Sequence, residues 1–314
     1  MVVYLKRENG SLTRLNGPEK GCWIHLYGPF GTEETQKLST QLSIDIDFIT
    51  DTLDIDERSR YESEDGVDLM VLKTPIPNDG ISDIEASYIT IPIGIIRTSD
   101  YLITISAYKN QVIEFFLNTP PKNFNPSDTE GAILAIFERN VTMFQLFLRS
   151  INNERYAYEK ALYKSSSNND LTKLLNIQKS LIYFVTNLRF NDLLLLKIQR
   201  TNFLKIKDED KMDLLADVII ENQQALSMSE MYSDILNGTM DAFASIISNN
   251  LNEIMKRLTS VTILLTVPML IASFYGMNVR LPGEDQPYSF VFVFGLCIVI
   301  SGLMGYFFVK KKWF

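Results

Sequence analysis

Two uncharged apolar runs near the end of the chain constrain its fold more than any other feature. Residues 258–279 and 286–309 contain no Asp, Glu, Lys or Arg. As a helix, each run is long enough to cross a hydrocarbon layer of about 30 Å. A pair of buried core helices is the alternative, but two uncharged runs of this length side by side disfavour it. The sequence therefore predicts two C-terminal transmembrane helices, at residues 258–278 and 287–309.

The charges that flank these runs predict their orientation. Lys256 and Arg257 precede the first run, and three lysines at 310–312 begin a basic tail, 310–314. The connection at 279–286 carries one arginine against two acids. Because basic residues favour the cytoplasmic side, we expect both termini in the cytoplasm. The expected location is the plasma (inner) membrane. The start, MVVYLKRENG, does not resemble a signal peptide.

Composition argues against several function classes. The net charge is −8, and no Lys/Arg-rich face lies outside the membrane flank, so nucleic acid is not an expected partner. The one histidine, His25, is expected in a half-buried strand, and the two cysteines, Cys22 and Cys297, fit neither a disulfide nor a thiolate metal site. With no Gly-rich phosphate loop either, we expect no enzyme, no catalytic residues and no organic cofactor. Membrane lipid and divalent cations are the expected partners.

Patterning before the membrane runs predicts an α+β membrane protein with a cytosolic α/β domain at residues 1–127. A helical hairpin follows at 128–211, with the polar loop KSSSNND between its arms. Strands are predicted in VVYLK, CWIHLYG, DLMVLKTPI, SYITIPIGIIR and YLITISA, and helical periodicity covers TEETQKLSTQLSIDIDFITDTL.

From Met212 onward, apolar residues recur every three or four positions, which predicts one helix of about 65 residues and about 100 Å. Its first part, 212–257, would be a stalk that leads into the first membrane run. Asn237-Gly238 is interpreted as a soft joint inside a continuous helix. A helix of this length cannot bury its apolar stripe in one small domain, so it should pack on copies of itself or on neighbouring helices.

A polar arc runs along the first membrane helix. At 100° per residue, seven positions fall within an arc of roughly 80°, with Asn252 just beside it. They are Met255, Leu258, Thr262, Thr266, Met269, Ser273 and Gly276. The arc fits either a tight helix-helix contact or the lining of a path between several copies, and the residues alone leave both open. It carries no carboxylate, and neutral oxygens suit a Mg²⁺ ion that keeps its water.

Several stretches carry a resemblance to one family. YGMN at 275–278 closes the first of two C-terminal spans, SNNLNEIMKRLTSVTILLTVPMLIASFYGMN leads into it, and KKKWF ends the chain. Together they resemble the CorA-type magnesium transporters, a Gly-Met-Asn family of divalent metal ion channels. LDIDERSRYESEDGVDLMVLK is similar to the N-terminal domain of that family. The resemblance implies a homopentameric funnel whose long helix runs into the pore.

The resemblance also implies roles for individual residues. Gly276, Met277 and Asn278 would form the selectivity filter at the outer mouth. Asn252, Met255 and Leu258 would form the inner constriction, with Met255 and Leu258 as a hydrophobic gate.

A regulatory Mg²⁺ would bridge adjacent cytosolic domains, with Asp217 on the stalk and Asp79 or Asp83 as its partner. Glu284 and Asp285, in a loop that lacks the usual Met-Pro-Glu-Leu pattern, are expected to concentrate cations at the mouth.

The expected function is a passive Mg²⁺ channel that is driven by membrane potential and closed by cytosolic Mg²⁺. Co²⁺, Ni²⁺ and Mn²⁺ are further candidate ions. Two alternatives remain: a zinc transporter of the same architecture, and a membrane-anchored sensor or scaffold without flux.

Overall fold

A computed structural model describes residues 1–8, 10–164, 168–277, 287–311 and 313 of the chain. The chain divides into two compact units, Met1–Asn237 and Gly238–Phe314.

The first unit is built on a mixed β-sheet. Its strands, among the described residues, are β1 (Val2–Glu8), β2 (Ser11–Leu15), β3 (Cys22–Tyr27), β4 (Arg60–Glu64), β5 (Val67–Pro77), β6 (Tyr88–Arg97) and β7 (Tyr101–Ser106). Their order across the sheet is β2-β1-β3-β7-β6-β5-β4. Strands β3 and β7 run parallel, and the other neighbouring pairs are antiparallel.

Helices cover both faces of this sheet. Those in the described chain are α1 (Thr32–Leu42), α2 (Ile46–Leu53), α3 (Gln111–Asn118), α4 (Thr129–Lys164), α5 (Asn168–Thr201), α6 (Glu209–Tyr275) and α7 (Ser289–Lys310). Leu38 of α1 and Phe48 of α2 share one buried core with Ile24 and Val71 of the sheet. Helices α4 and α5 lie against β5 and β6. The first unit is therefore an α/β unit in which α4 and α5 take part.

The predicted strands are present, but two further strands were missed. β2 and β4 are the edge strands of the sheet and are largely exposed, so their sequences lack the apolar runs of the inner strands. The helical stretch at 32–53 is two helices, because Ser43 adopts a left-handed conformation with φ of 52°. Asp45 then begins α2, its side chain accepting from the backbone N–H of Asp47 at 2.9 Å.

Helix α2 packs directly on strand β6 at Gly94. A Cβ placed on Gly94 would lie 2.8 Å from the Cβ of Thr52, and Thr52 is fully buried. The absence of a side chain at Gly94 is what lets the helix approach the sheet this closely.

One side chain replaces a missing strand at the edge of β5. Pairing of β4 with β5 ends at Arg60 opposite Val71. Two residues further on, the backbone N–H of Lys73 donates to Oδ1 of Asn191 at 3.1 Å, and Nδ2 of Asn191 donates to the Lys73 carbonyl at 2.9 Å. Asn140 of α4 donates to the same carbonyl at 2.9 Å. Asn191 thus adds one rung to the ladder and ties α5 to the sheet.

A small polar cluster is buried in the middle of the sheet. Trp23 Nε1 donates to Oγ1 of Thr104 at 2.8 Å, and Nδ1 of His25 lies 3.0 Å from the same oxygen. Because an indole N–H only donates, Thr104 accepts from Trp23, and the tautomer of His25 sets the direction of the second hydrogen bond. His25 is buried in β3 rather than half-buried as expected, and burial lowers the pKa of its imidazole to about 4.

Three of the described helices are long and apolar enough to span a membrane: α4, α6 and α7. In α4 the most apolar window has a mean hydropathy of 1.2 and is 61% buried within the protein. The windows in α6 and α7 reach 1.8 and 2.3, and only 6% of each is buried. Helix α4 is thus a core helix, and α6 and α7 carry the two predicted membrane runs.

Helix α6 is continuous over 67 residues, through Asn237-Gly238. Its first part packs antiparallel to α5 within the first unit. Asn222 Nδ2 donates to the Leu188 carbonyl at 3.2 Å, and Gln178 Nε2 donates to Oδ1 of Asn237 at 2.5 Å.

Candidate functional site

The predicted arc lies on the membrane half of α6, in the second unit. All seven arc positions and Asn252 are exposed within the single chain. The exposed fraction is 51% for Met255, 58% for Leu258 and 64% for Met269. Because α6 is continuous from Glu209 to Tyr275, the arc from Met255 to Ser273 lies on one uninterrupted helix, and Gly276 follows directly after its end.

The opposite face of the same helix is less exposed as far as Ile271, whereas Phe274 at its end is 54% exposed. Ser260 is fully buried, and Leu264, Val267 and Ile271 are partly buried. A Cβ on Gly305 of α7 would lie 3.6 Å from Cδ1 of Leu264, so α7 packs on this side. Helix α7 therefore covers α6 away from the arc and leaves the arc available to another partner.

The threonine hydroxyls on the arc have a defined orientation. Oγ1 of Thr262 donates to the Leu258 carbonyl at 2.9 Å, and Oγ1 of Thr266 donates to the Thr262 carbonyl at 2.7 Å. Since each hydroxyl proton is used inside the helix, the oxygen lone pairs remain as acceptors on the exposed face. The arc thus presents neutral oxygen acceptors between methionine and leucine side chains.

Helix α6 ends at the predicted filter. The N–H of Gly276 donates to the carbonyls of Ala272 at 3.0 Å and Ser273 at 3.2 Å, and the N–H of Met277 donates to Phe274 at 3.2 Å. Met277 is 53% exposed. The C-terminal end of a helix carries partial negative charge, which favours a cation. Asn278, and Glu284 and Asp285 of the predicted external loop, lie outside the described residues.

The predicted regulatory acids all lie exposed on the first unit. Asp217 is on the outward face of α6, next to the buried Val218. Asp79 and Asp83 share the loop between β5 and β6, where Nδ2 of Asn78 donates to the carbonyls of Ile84 at 2.7 Å and Ala86 at 3.1 Å. The described residues contain no group of three or more His, Cys, Asp or Glu side chains that could hold a metal ion. A single chain therefore does not bring these acids into a finished site.

The chain matches the family model described as "CorA-like Mg2+ transporter protein" over residues 18–312. It is 27% identical to a cobalt/magnesium transport protein CorA of Methanocaldococcus jannaschii, across 93% of this chain and 90% of that protein. It is 20% identical to the protein of the same name from Thermotoga maritima, across 93% and 83%.

A solved structure agrees with these sequence matches. The complete structure of the CorA magnesium transporter from Methanocaldococcus jannaschii superimposes with a TM-score of 0.84 at 25% identity, covering 100% of this chain and 99% of that one. An α/β soluble part that continues into long helices is therefore common to both chains. With a family model matched over nearly its whole length, this chain belongs to the CorA-like Mg²⁺ transporter family.

Proposed function

We propose that this chain forms a passive Mg²⁺ channel whose path runs along the arc of α6. The observation that carries the proposal is the exposed face of α6 with its hydroxyl acceptors, on the side that α7 leaves uncovered. Two spans cannot enclose a path, so several copies of the chain must bring their arcs together. Following the family resemblance, we propose a homopentamer in the plasma (inner) membrane, with both termini in the cytoplasm.

The chemistry of the arc suits an ion that keeps its water. Mg²⁺ dehydrates reluctantly and usually keeps several waters, whose hydrogens point outward. Thr262, Thr266 and Ser273 would accept hydrogen bonds from these waters, and the arc has no carboxylate to trap the ion. Met255 and Leu258 would form a dry constriction that gates by dewetting, beside the amide of Asn252.

The outer mouth would select the hydrated ion. In the proposal, Gly276 lets the backbone approach the ion, and Met277 positions the turn. A ring of Asn278 amides binds the waters of the ion's first hydration shell. The C-terminal ends of several α6 helices would add partial negative charge there. Glu284 and Asp285 would raise the local concentration of cations.

Regulation would use the acids of the first unit. We propose that cytosolic Mg²⁺ bridges Asp217 of one subunit to Asp79 or Asp83 of a neighbour and so holds the gate shut. All three carboxylates are exposed, which leaves them available to a second chain.

Membrane potential, negative inside, would drive influx. Co²⁺ is a candidate second ion because two relatives are named cobalt/magnesium transport proteins. Uptake of Ni²⁺, Mn²⁺ and Zn²⁺ can be measured in the same way.

A matched pair of variants tests the path. Thr266→Val keeps the shape of an arc residue and removes its acceptor, whereas Ser260→Ala removes a hydroxyl with the same internal bond, at 2.8 Å, on the buried face. In proteoliposomes loaded with a Mg²⁺ indicator, we expect Thr266→Val to lower uptake at least about fivefold, because every subunit loses one acceptor. Ser260→Ala should leave uptake unchanged.

Equal uptake by both variants would contradict the path along the arc. Asn278→Ala should abolish selective Mg²⁺ uptake, and wild-type liposomes without any uptake would favour the membrane-anchored sensor. The same liposomes with Zn²⁺ outside distinguish the zinc transporter. Native mass spectrometry in detergent should report five subunits.

The feedback proposal has its own test. Asp217→Lys should raise flux at millimolar internal Mg²⁺, and an inhibition curve identical to that of the wild type would exclude Asp217 from regulation.

A further inference from the structure

The first unit contains a cleft that the proposed ion path does not use. Its volume is about 500 Å³, and it opens between helix α5, the segment after α2, and the loop between β5 and β6. Six apolar or aromatic side chains line it: Ile55, Ile84, Ile89, Ile182, Tyr183 and Phe190. A cleft of this size and lining is suited to a small organic molecule.

Two cations in the cleft make no ion pair, although the lining also contains one carboxylate, that of Asp56. Lys73 is 4% exposed, and Arg58 lies with its guanidinium carbon 5.4 Å from the centre of the Phe190 ring. Within the described part of the chain, no carboxylate oxygen lies within 4 Å of either cation. By contrast, the third cation, Lys179, is paired with Glu85 at 3.0 Å. Burying a charge without an ion pair is costly in a folded protein, and Lys73 is such a charge.

The surroundings of Lys73 leave donors available. Its Nζ donates to the carbonyl of Ile55, and an ammonium group has three protons to donate. Burial lowers the pKa of Lys73 to about 8, while Asp56, Asp54 and Glu57 act in the opposite direction. At neutral pH the ammonium is therefore mainly charged. Asn187 and Thr90 add buried polar groups to the lining, joined by a hydrogen bond of 2.8 Å.

We propose that this cleft binds a small organic anion, with its carboxylate or phosphate group on Lys73 and Arg58 and its apolar body against Ile182 and Phe190. Such a ligand would make the direct ion pair that Lys73 lacks, since Asp56, Asp54 and Glu57 act on Lys73 without forming one, and it would cover the apolar wall. An inorganic ion alone would satisfy the cations and leave the wall open, so an organic anion fits the cleft better.

Binding would also act on the neighbouring loop. Ser82 and Ile84 line the cleft and belong to the same loop as Asp79 and Asp83. Asn78 already holds this loop through its side-chain hydrogen bonds, and a ligand would add contacts on the other side. We expect slower amide hydrogen exchange over residues 79–86 when the cleft is filled.

The test uses the full chain in detergent and phenyl phosphate as the probe. Calorimetric titration should show one saturable site per chain. Lys73→Met, which keeps the length and apolar stem, should weaken binding about tenfold or more, since a charge-assisted hydrogen bond is lost. Arg58→Gln, at an exposed position, should weaken it severalfold. Lys160→Met, an exposed lysine on α4, is the matched control and should bind like the wild type.

Further probes separate the two parts of the ligand. Benzoate should compete with phenyl phosphate, whereas inorganic phosphate and phenol should each bind much more weakly. Fluorescence of the buried Trp23 verifies folding of each variant, and Arg58→Gln carries the test if Lys73→Met fails to fold. The proposal is overturned if phenyl phosphate does not saturate, if inorganic phosphate binds equally well, or if Arg58→Gln and folded Lys73→Met retain wild-type affinity.

Discussion

Helix α4 and the membrane half of α6 show how one kind of sequence is used in two solvents. Both contain an 18-residue apolar window that could cross a membrane, yet the window is 61% buried in α4 and 6% buried in α6. The apolar surface of α4 is buried within the same chain, against α5 and the sheet. The membrane half of α6 is covered in the same chain only on the side of α7 and is otherwise exposed. Whether the chain itself buries the apolar window, rather than hydropathy alone, distinguishes a core helix from a membrane helix.

The largest expected effect is that of removing a side chain of α4 that the chain itself buries. Phe144 of α4 is fully buried, so Phe144→Ala should lower the free energy of unfolding by about 3–5 kcal/mol. The midpoint of thermal unfolding, followed by Trp23 fluorescence, should fall by roughly 10 °C. Met269→Ala, at a residue of α6 that is 64% exposed, is the control and should leave this midpoint unchanged. A similar loss from both substitutions would contradict the distinction between the helices.

A second pair of substitutions compares a helix surface in water with a helix surface in lipid. Leu146 of α4 is 46% exposed and Val299 of α7 is 58% exposed. Lysine at 146 would face water and should change stability by less than about 0.5 kcal/mol. Lysine near the centre of a membrane span costs about 3 kcal/mol, so Val299→Lys should reduce the membrane-inserted fraction. Membrane fractionation measures both variants, and equal insertion would contradict the assignment of α7 to lipid.

The single histidine makes the stability of the first unit depend on pH. The pKa of His25 is about 4 in the fold against 6.5 for the free side chain, so between these values the unfolded chain binds a proton that the folded chain does not. Stability therefore falls as pH falls, by about 2 kcal/mol between pH 8 and pH 5. Unfolding midpoints at the two pH values measure this loss. His25→Asn should remove that part of the difference, and an unaltered pH profile would show that other groups cause it.

The smallest expected effect compares two glycines. Gly94 faces Thr52 at close range, whereas a Cβ on Gly302 of α7 would meet no described atom within 4 Å. Gly94→Ala should lower the free energy of unfolding by about 1–2 kcal/mol through overpacking. Gly302→Ala should be neutral for folding of the chain. Chemical unfolding followed by Trp23 fluorescence measures the first, and circular dichroism in detergent checks the second.

Much of the architecture could be predicted from the sequence because its signals are local. The inner strands are apolar runs, and the apolar repeat from Met212 extends over an uninterrupted helix. The arc on α6 could be drawn for the same reason, since helical geometry fixes which residues share a face. The side that α7 covers depends on contacts such as Leu264 with Gly305, and no local pattern contains them.

What sequence reasoning missed depends on tertiary contacts. The break at Ser43 follows from a left-handed residue that the helical periodicity did not reveal. Lys73 sits in an apolar strand without any motif, and the cleft that it lines exists only when α5 is in place. The pairing of Asp217 with Asp79 or Asp83 involves a second chain, so it stays a prediction.

The rung that Asn191 adds to β5 has a consequence for how the protein is made. It joins positions 118 residues apart, so the edge of β5 beyond Val71 has no partner until the ribosome has completed most of α5. Until then, the nascent sheet exposes a hydrogen-bonding edge of the kind that recruits other chains. A truncation that ends after residue 127 lacks Asn191, so this edge of β5 would stay unpaired. We expect such a fragment to aggregate on release, even though it contains every strand of the described sheet.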